Sequence, residues 1–284
     1  MAWILLSALP SQAQPQFEFI VTNGTVTITK CSGNPTEMEI PSKMNGLLVT
    51  GLANMAFYNM SGLTSVKIPF SINYIGGQAF GQDWRLTNVI IPRSVRTINY
   101  DAFDHTGLQR VTIPFSVTNI GRAPFAECPG LTNITVEDFN TNYVDVNGVL
   151  FNKALTVIVQ YPTGRLAKNY VIPNGVTNIA ACAFRGSANL TNVVIPDGMV
   201  NIGYSAFAFS PNLRSLAIPA SVNRIEPYAF GTCKQLEKIC FAGDAPSCDN
   251  SLFFMGTTGT VYYLRGKKGW TDTFSCWPTV ARSP

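Results

Sequence analysis

The sequence predicts a β-rich, α+β solenoid of about 23 residues per turn, with stacked parallel strands and short helical or 3-10 turns. Three observations carry this prediction. Alanine-phenylalanine recurs at Ala56-Phe57, Ala79-Phe80, Ala102-Phe103, Ala183-Phe184, Ala206-Phe207 and Ala229-Phe230. Within each group the phenylalanines are 23 residues apart, and a further step reaches Phe253. Leucine follows the phenylalanine by six residues at Leu63, Leu86, Leu131, Leu190, Leu213 and Leu236, and each opens a strand-like run. A fixed period of this kind means that each unit buries its apolar face only against its neighbours.

In chain order, residues 1–13 read as the remnant of a secretory signal. An apolar stretch precedes Ser11-Gln12-Ala13, which puts small residues at the two positions a signal peptidase checks, although the first basic side chain is Lys30. A buried amino-terminal strand is the alternative. Residues 14–55, with Phe17-Glu-Phe-Ile20, Asn23-Gly24 and Val26-Thr-Ile28, predict a hairpin-based cap over the open end of the core.

Residues 56–241 form the repeat array. Runs such as Leu63-Thr-Ser-Val-Lys-Ile-Pro69 and Leu190-Thr-Asn-Val-Val-Ile-Pro196 alternate β-branched and polar residues, the pattern of a half-buried strand. Proline ends each run by withholding a ladder N–H. A second apolar pair follows, as Ile72 and Ile75 or Val222 and Ile225. In the first unit Leu63, Val66, Ile68, Ile72, Ile75, Ala79 and Phe80 point inward, and each large side chain contributes about 1.5–3 kcal/mol on full burial.

The period fails between Phe125 and Phe184, a step of 59 residues. Here Tyr143-Val-Asp-Val-Asn147-Gly148-Val-Leu-Phe151 places Asn-Gly between alternating runs, so an embellished hairpin repeat is expected over residues 137–170. Residues 242–284 break the period again, and Val261-Tyr-Tyr-Leu264, Trp270 and Phe274-Ser-Cys-Trp277 suggest a degenerate last turn and an aromatic carboxy-terminal cap.

The repeated Leu-x-x-Val-x-Ile-Pro-x-x-Val-x-x-Ile-x-x-x-Ala-Phe-x-x-Cys-x-x-Leu pattern resembles the BspA type of bacterial leucine-rich repeat over about residues 28–255. Cys128 and Cys233 occupy the family's optional cysteine position, while Pro124 and Leu252 depart from its alanine. The resemblance implies a right-handed coil and a role in adhesion or cell-surface interaction.

Composition narrows the function classes. Only 13% of residues are charged, and the 20 basic and 16 acidic side chains are dispersed, which gives no support to nucleic-acid binding. The small cluster Arg265, Lys267 and Lys268 reads as a solvated turn. No apolar run is long enough for a transmembrane helix. The seven cysteines include no Cys-x-x-Cys pair, and the single histidine lies elsewhere, so neither a zinc site nor any cofactor is expected. Cys128 and Cys233 read as buried thiols, whereas Cys248 and Cys276 are the choice for one disulfide in an oxidising compartment.

The catalytic inventory is thin. His105 stands beside Asp101 and Asp104, but no nucleophile motif accompanies them. Glu37 with Glu39, and Asp244 with Asp249, fall in loops. A non-enzymatic, extracellular or cell-surface binding module for proteins, acting as a monomer, is the leading reading. A carbohydrate-binding or matrix protein is the alternative, with Tyr204, Tyr228, Tyr262 and Trp270 as its candidate aromatics. Clustered exposed aromatics would favour the alternative, and a deep polar pocket around His105 would favour an enzyme.

The candidate binding face is the outward side of the strands. Stacking at about 4.8 Å brings equivalent residues into ladders. One ladder runs Ser65, Asn88, Arg110, Asn133, Asn192, Ser215, Lys238. Its neighbour runs Lys67, Ile90, Thr112, Thr135, Val194, Ala217, Cys240.

Overall fold

The computed structural model describes residues 15–255 and 258–283. They form a β-solenoid of about ten turns whose coils are three-sided. In the coil that opens at Leu63, Ser65–Lys67 lies on the first wall and Tyr74–Ile75 on the second. Residues 76–83 wind around Phe80 as the third, before Leu86 begins the next coil. All seven inward positions predicted for this coil are buried. The core is therefore a product of the period itself: the same seven slots are filled, coil after coil, by side chains that meet their own equivalents.

The strand wall is divided into three parallel groups. Glu37–Glu39, Ser65–Lys67 and Asn88–Ile90 form one, Arg110–Ile113 and Asn133–Val136 the second. The third is a seven-stranded sheet from Asn169–Val171 through Asn192–Val194, Ser215–Ile218, Lys238–Phe241 and Thr260–Leu264 to Trp277–Arg282, with Thr273–Phe274 at its edge. The first division coincides with the one short unit, in which Leu108 follows Phe103 by five residues rather than six. The second coincides with the hairpin.

The third wall is where the sequence expectation fails. No helix of any kind occurs among the described residues; the turns around each phenylalanine are irregular. The reason lies in the residues two before and two after the phenylalanine. Met55 and Asn59, Gln78 and Gln82, Asp101 and His105, Ala123 and Glu127, Ser205 and Phe209, and Tyr228 and Thr232 all have φ between 50° and 63°. A left-handed residue costs about 1–2 kcal/mol outside glycine and cannot continue a helix. What offsets it is a ladder between coils: Gln78, Phe80 and Gln82 donate their N–H groups to the carbonyls of Tyr100, Ala102 and Asp104 at 2.9 Å. Ser205, Phe207 and Phe209 repeat this on Pro227, Ala229 and Gly231. A helical turn would direct those N–H groups inward along its own axis, so the stacked coil excludes it.

The phenylalanines stack nearly parallel. Ring centroids are 5.0 Å apart for Phe57 and Phe80, 5.2 Å for Phe80 and Phe103, and 4.8 Å for Phe184 and Phe207. Tyr161 extends the column at 5.1 Å from Phe184, and Trp277 closes it at 3.9 Å from Phe253. At the other end Phe17, on the antiparallel hairpin of Gln16–Thr22 and Thr25–Ser32, packs edge-on against Phe57.

The predicted internal hairpin is present. Tyr143–Val146 and Val149–Asn152 pair antiparallel about Asn147 and Gly148, both at positive φ, as a two-residue hairpin turn requires. Val157–Gln160 then pairs with the hairpin on one side and with Asn178–Ile179 of the next coil on the other. The element is built into the stack: Leu150 belongs to the amino-terminal core, and Val149 and Phe151 to the carboxy-terminal one.

Candidate binding surfaces

The predicted ladders are formed in segments. Ser65 pairs with Asn88 and Lys67 with Ile90; Arg110 pairs with Asn133 and Thr112 with Thr135. Asn192, Ser215 and Lys238 run in continuous register, as do Val194, Ala217 and Cys240. Neither ladder passes unbroken from Asn88 to Arg110 or from Asn133 to Asn192. The surfaces also differ in chemistry. Lys67 is bound to Glu39 at 2.6 Å, whereas Val194 lies in an outward column of Val171, Val194, Ala217, Cys240, Tyr262 and Val280. Val171 is 63% and Val194 46% exposed. Lys238 and Arg282 flank this column with their cationic heads over the Tyr262 ring, at 5.4 and 3.8 Å.

A second surface lies on the turn wall, where the repeat pattern carries least information. The coil holding Tyr161 has no alanine-phenylalanine turn: after Gln160 the chain passes through Pro162 and Gly164 toward the next strand. The N–H groups of Ala123, Phe125 and Glu127 therefore find no carbonyl of a following turn among the described residues, and Tyr161 alone donates to Ala183 O. The omission leaves a cleft of about 300 Å³ beside the turns at Arg122–Glu127 and Cys182–Arg185.

Charge is arranged in pairs within the cleft. His105 Nδ1 donates to Asp104 Oδ2 at 2.9 Å, and its Nε2 lies 3.0 Å from Glu127 Oε2. Arg185 Nε donates to Glu127 Oε1 at 2.5 Å, linking one coil to a turn 58 residues away. Hydrogen bonds to Asp104 and Glu127 raise the His105 pKa to about 9. The imidazole is thus cationic at neutral pH and donates from both nitrogens. Burial pushes Asp101 up to about 6, with the nearby Asp104 charge adding to it. Glu127 would also be raised by burial, but the bonds from His105 and Arg185 bring it below its ordinary value.

The polar pocket around His105 is therefore real, and its charged groups are engaged with one another. An imidazolium cannot accept a proton. Cys182, the one thiol in the cleft, is raised by burial, away from the thiolate that a nucleophile requires. No group of three His, Cys, Asp or Glu among the described residues is placed to hold a metal ion.

Two of the four aromatic candidates extend this cleft. Tyr204 lines it and packs edge-on to Tyr228 at 5.6 Å, and Tyr228 packs edge-on to Phe254 at 5.4 Å. Arg122 lies over Tyr204, with 6.0 Å to the ring centroid. A second hollow of about 300 Å³ follows along Tyr228 and Phe209, sharing Arg185 and Tyr204 with the first. Trp270 and Tyr262 are elsewhere: Trp270 stacks on Tyr263 at 4.9 Å in the last coil, and Tyr262 belongs to the strand wall.

The model of the BspA type leucine rich repeat region matches residues 30–156 and 164–264, in six copies. The chain belongs to this family. Its coil is similar to that of a leucine-rich repeat protein from Eubacterium ventriosum, with a TM-score of 0.68 and 22% identity over 88% of this chain and 76% of that one. It is also similar to the pneumococcal vaccine antigen PcpA, at 0.62 and 17% identity over 90% and 93% of the two chains. A leucine-rich cell surface protein from Faecalibacterium prausnitzii gives 0.56 and 22% over 89% and 94%. No curated protein matches the chain.

The repeat's cysteine has a physical account here. Cys128 Sγ donates to Phe103 O and Cys233 Sγ to Phe207 O, both at 3.1 Å, and Ser210 Oγ does the same for Phe184 O at 3.2 Å. The position calls for a small donor that satisfies the preceding coil's phenylalanine carbonyl. Cys248 and Cys276, the expected disulfide pair, both stand as free thiols in this structure. Cys248 packs against the carboxy-terminal core, while Cys276 is exposed and directs its sulfur to Asn250 O at 3.6 Å.

Proposed function

We propose that this BspA-type repeat chain is a non-catalytic extracellular or cell-surface module that binds a protein partner on its strand wall, mainly in the carboxy-terminal half. The observation that carries the reading is the unbroken column of Val171, Val194, Ala217, Cys240, Tyr262 and Val280 across six strands in register, bordered by Asn192, Ser215 and Lys238. An apolar strip with a polar margin is the anatomy of a protein interface, and a cation-flanked tyrosine is the kind of residue that dominates one. The relation to a cell surface protein of the same fold agrees with this setting.

Capture of soluble extracellular proteins on the immobilised chain tests the reading. The double variant Val194→Glu, Ala217→Glu is expected to abolish capture, while Lys67→Glu with Arg110→Glu is expected to leave it within about threefold. Equal loss in both variants, or none in either, would place the interface off the carboxy-terminal strand wall.

A further inference from the structure

The turn wall carries a second, separate site. The cleft beside the Phe125 and Phe184 turns exists because one coil omits its turn, and its floor is held rigid by the His105, Glu127 and Arg185 network. That network consumes its own charges: two cations face Asp104 and Glu127. Arg122 and Asp101 then complete a lining of three cations and three carboxyl groups, so the cleft selects for neither a cation nor an anion.

Unused capacity lies above the network. The side-chain amides of Gln78 and Gln82 line the cleft and make no hydrogen bond within the described protein, and Arg122 lies over the Tyr204 ring with its charge acting on Asp101. Two planar amides, a carboxyl and a guanidinium offer acceptors and donors side by side. A vicinal diol matches this, because each hydroxyl donates to one neighbour while accepting from another. Next to these groups stand Tyr204 and Tyr228, and the second hollow continues along them in the direction of the stacked coils. Aromatic surface flanking a small set of convergent polar groups is how a compact ligand is oriented, and a pyranose presents an apolar C–H face to match a ring.

We propose that this cleft and the Tyr204–Tyr228 row bind a neutral glycan, with one sugar ring among Gln78, Gln82, Asp101 and Arg122 and the following ring against the tyrosines. A peptide fits less well. Peptides dock on a sheet edge, an apolar groove or an arginine cluster, and this cleft is polar, charge-balanced and bordered by turns. The site is independent of the strand wall, so either assignment can fail without the other.

The test applies the full chain to an array of neutral oligosaccharides, sulfated oligosaccharides and peptides, followed by calorimetric titration of the best neutral oligosaccharide. At least one neutral oligosaccharide is expected to bind. Tyr204→Ala and Gln82→Ala are each expected to weaken it about tenfold or more, Tyr204→Phe to hold it within about threefold, and the strand-wall variant Val194→Glu, Ala217→Glu to leave it unchanged. Gln82→Ala removes a partly exposed side chain and keeps the test valid if Tyr204→Ala fails to fold. Retention of only sulfated oligosaccharides, retention of only peptides, no retention, or neutral binding that Gln82→Ala leaves intact would each overturn the assignment.

Discussion

The two halves of the solenoid share one repeat and present different walls. Before the hairpin the strand wall is cut into groups of three and two strands, and its outward positions are mixed: Lys67 on Glu39, Thr112 beside Thr135, and the exposed Ile90 next to Lys67. After it, seven strands run in one sheet with an apolar outward column. The difference follows from how faithfully the period is kept. Every step from Phe184 to Phe253 is 23 residues, whereas the earlier half contains the 22-residue step from Phe103 to Phe125. One missing residue is enough to misalign the ladder, since neighbouring strands pair only in register. The lesson is that continuous surface requires stricter spacing than continuous core: Phe103 and Phe125 still stack at 5.6 Å across the short unit.

The largest expected effect breaks that comparison directly. Phe207→Ala should cost about 3–5 kcal/mol by opening a cavity in the aromatic column. Because coils are stabilised chiefly by their neighbours, hydrogen exchange should quicken across Asn192–Val194 and Ser215–Ile218 and much less across Ser65–Lys67. Phe103→Ala should show the reverse. Uniform loss of protection in both variants would mean that the hairpin transmits stability and that the halves act as one unit.

A smaller effect sharpens the contrast at the carbonyl-capping position. The position that Cys128, Ser210 and Cys233 fill with a donor holds a fully buried carboxyl in one early coil, Asp83, whose Oδ1 accepts Met60 N–H at 2.6 Å. Burial, partly offset by that bond and reinforced by Asp104, raises its pKa to about 8. The folded state therefore holds a proton that the unfolded chain releases near pH 4, so this group's contribution falls as pH rises from about 4 to 8. Asp83→Ser should gain stability over the wild type progressively across that range, measured as the difference between two urea-midpoint profiles. A constant difference at all pH values would show that Asp83 is ionised in the fold.

Smallest is the joint between the halves. Tyr161 stacks on Phe184, but its buried hydroxyl has no partner among the described residues. Tyr161→Phe should leave thermal stability unchanged or raise it by about 1 kcal/mol, since an unsatisfied buried group is removed and the ring retained. A loss of stability would reveal a water or ligand held by that hydroxyl.

How far the sequence could be read varies by wall. The strands and their inward residues were legible because Val66, Ile68 and Leu63 obey a period that burial alone enforces. The Asn147-Gly148 hairpin was legible because its turn has few chemical solutions. The turns were not, because Gln78, Asp101 and Ser205 give no hint of positive φ; the bonds that hold them there are made to the next coil. The cleft was hidden for a related reason. Asp101, His105, Glu127 and Arg185 lie up to 84 residues apart and meet only because the intervening coil drops its turn. The trace it left was the 59-residue gap flanked by turns that are unusually rich in charge.

That dropped turn has a broader meaning. Most proteins acquire a recess by adding a loop around it, which brings new backbone whose polar groups must be satisfied. Here concavity arises by subtraction: Tyr161 seats on Phe184 at the head of the later aromatic column, while the outer course beside it is left out. A stacked architecture can thus be carved on one side, one course at a time, without new backbone around the recess.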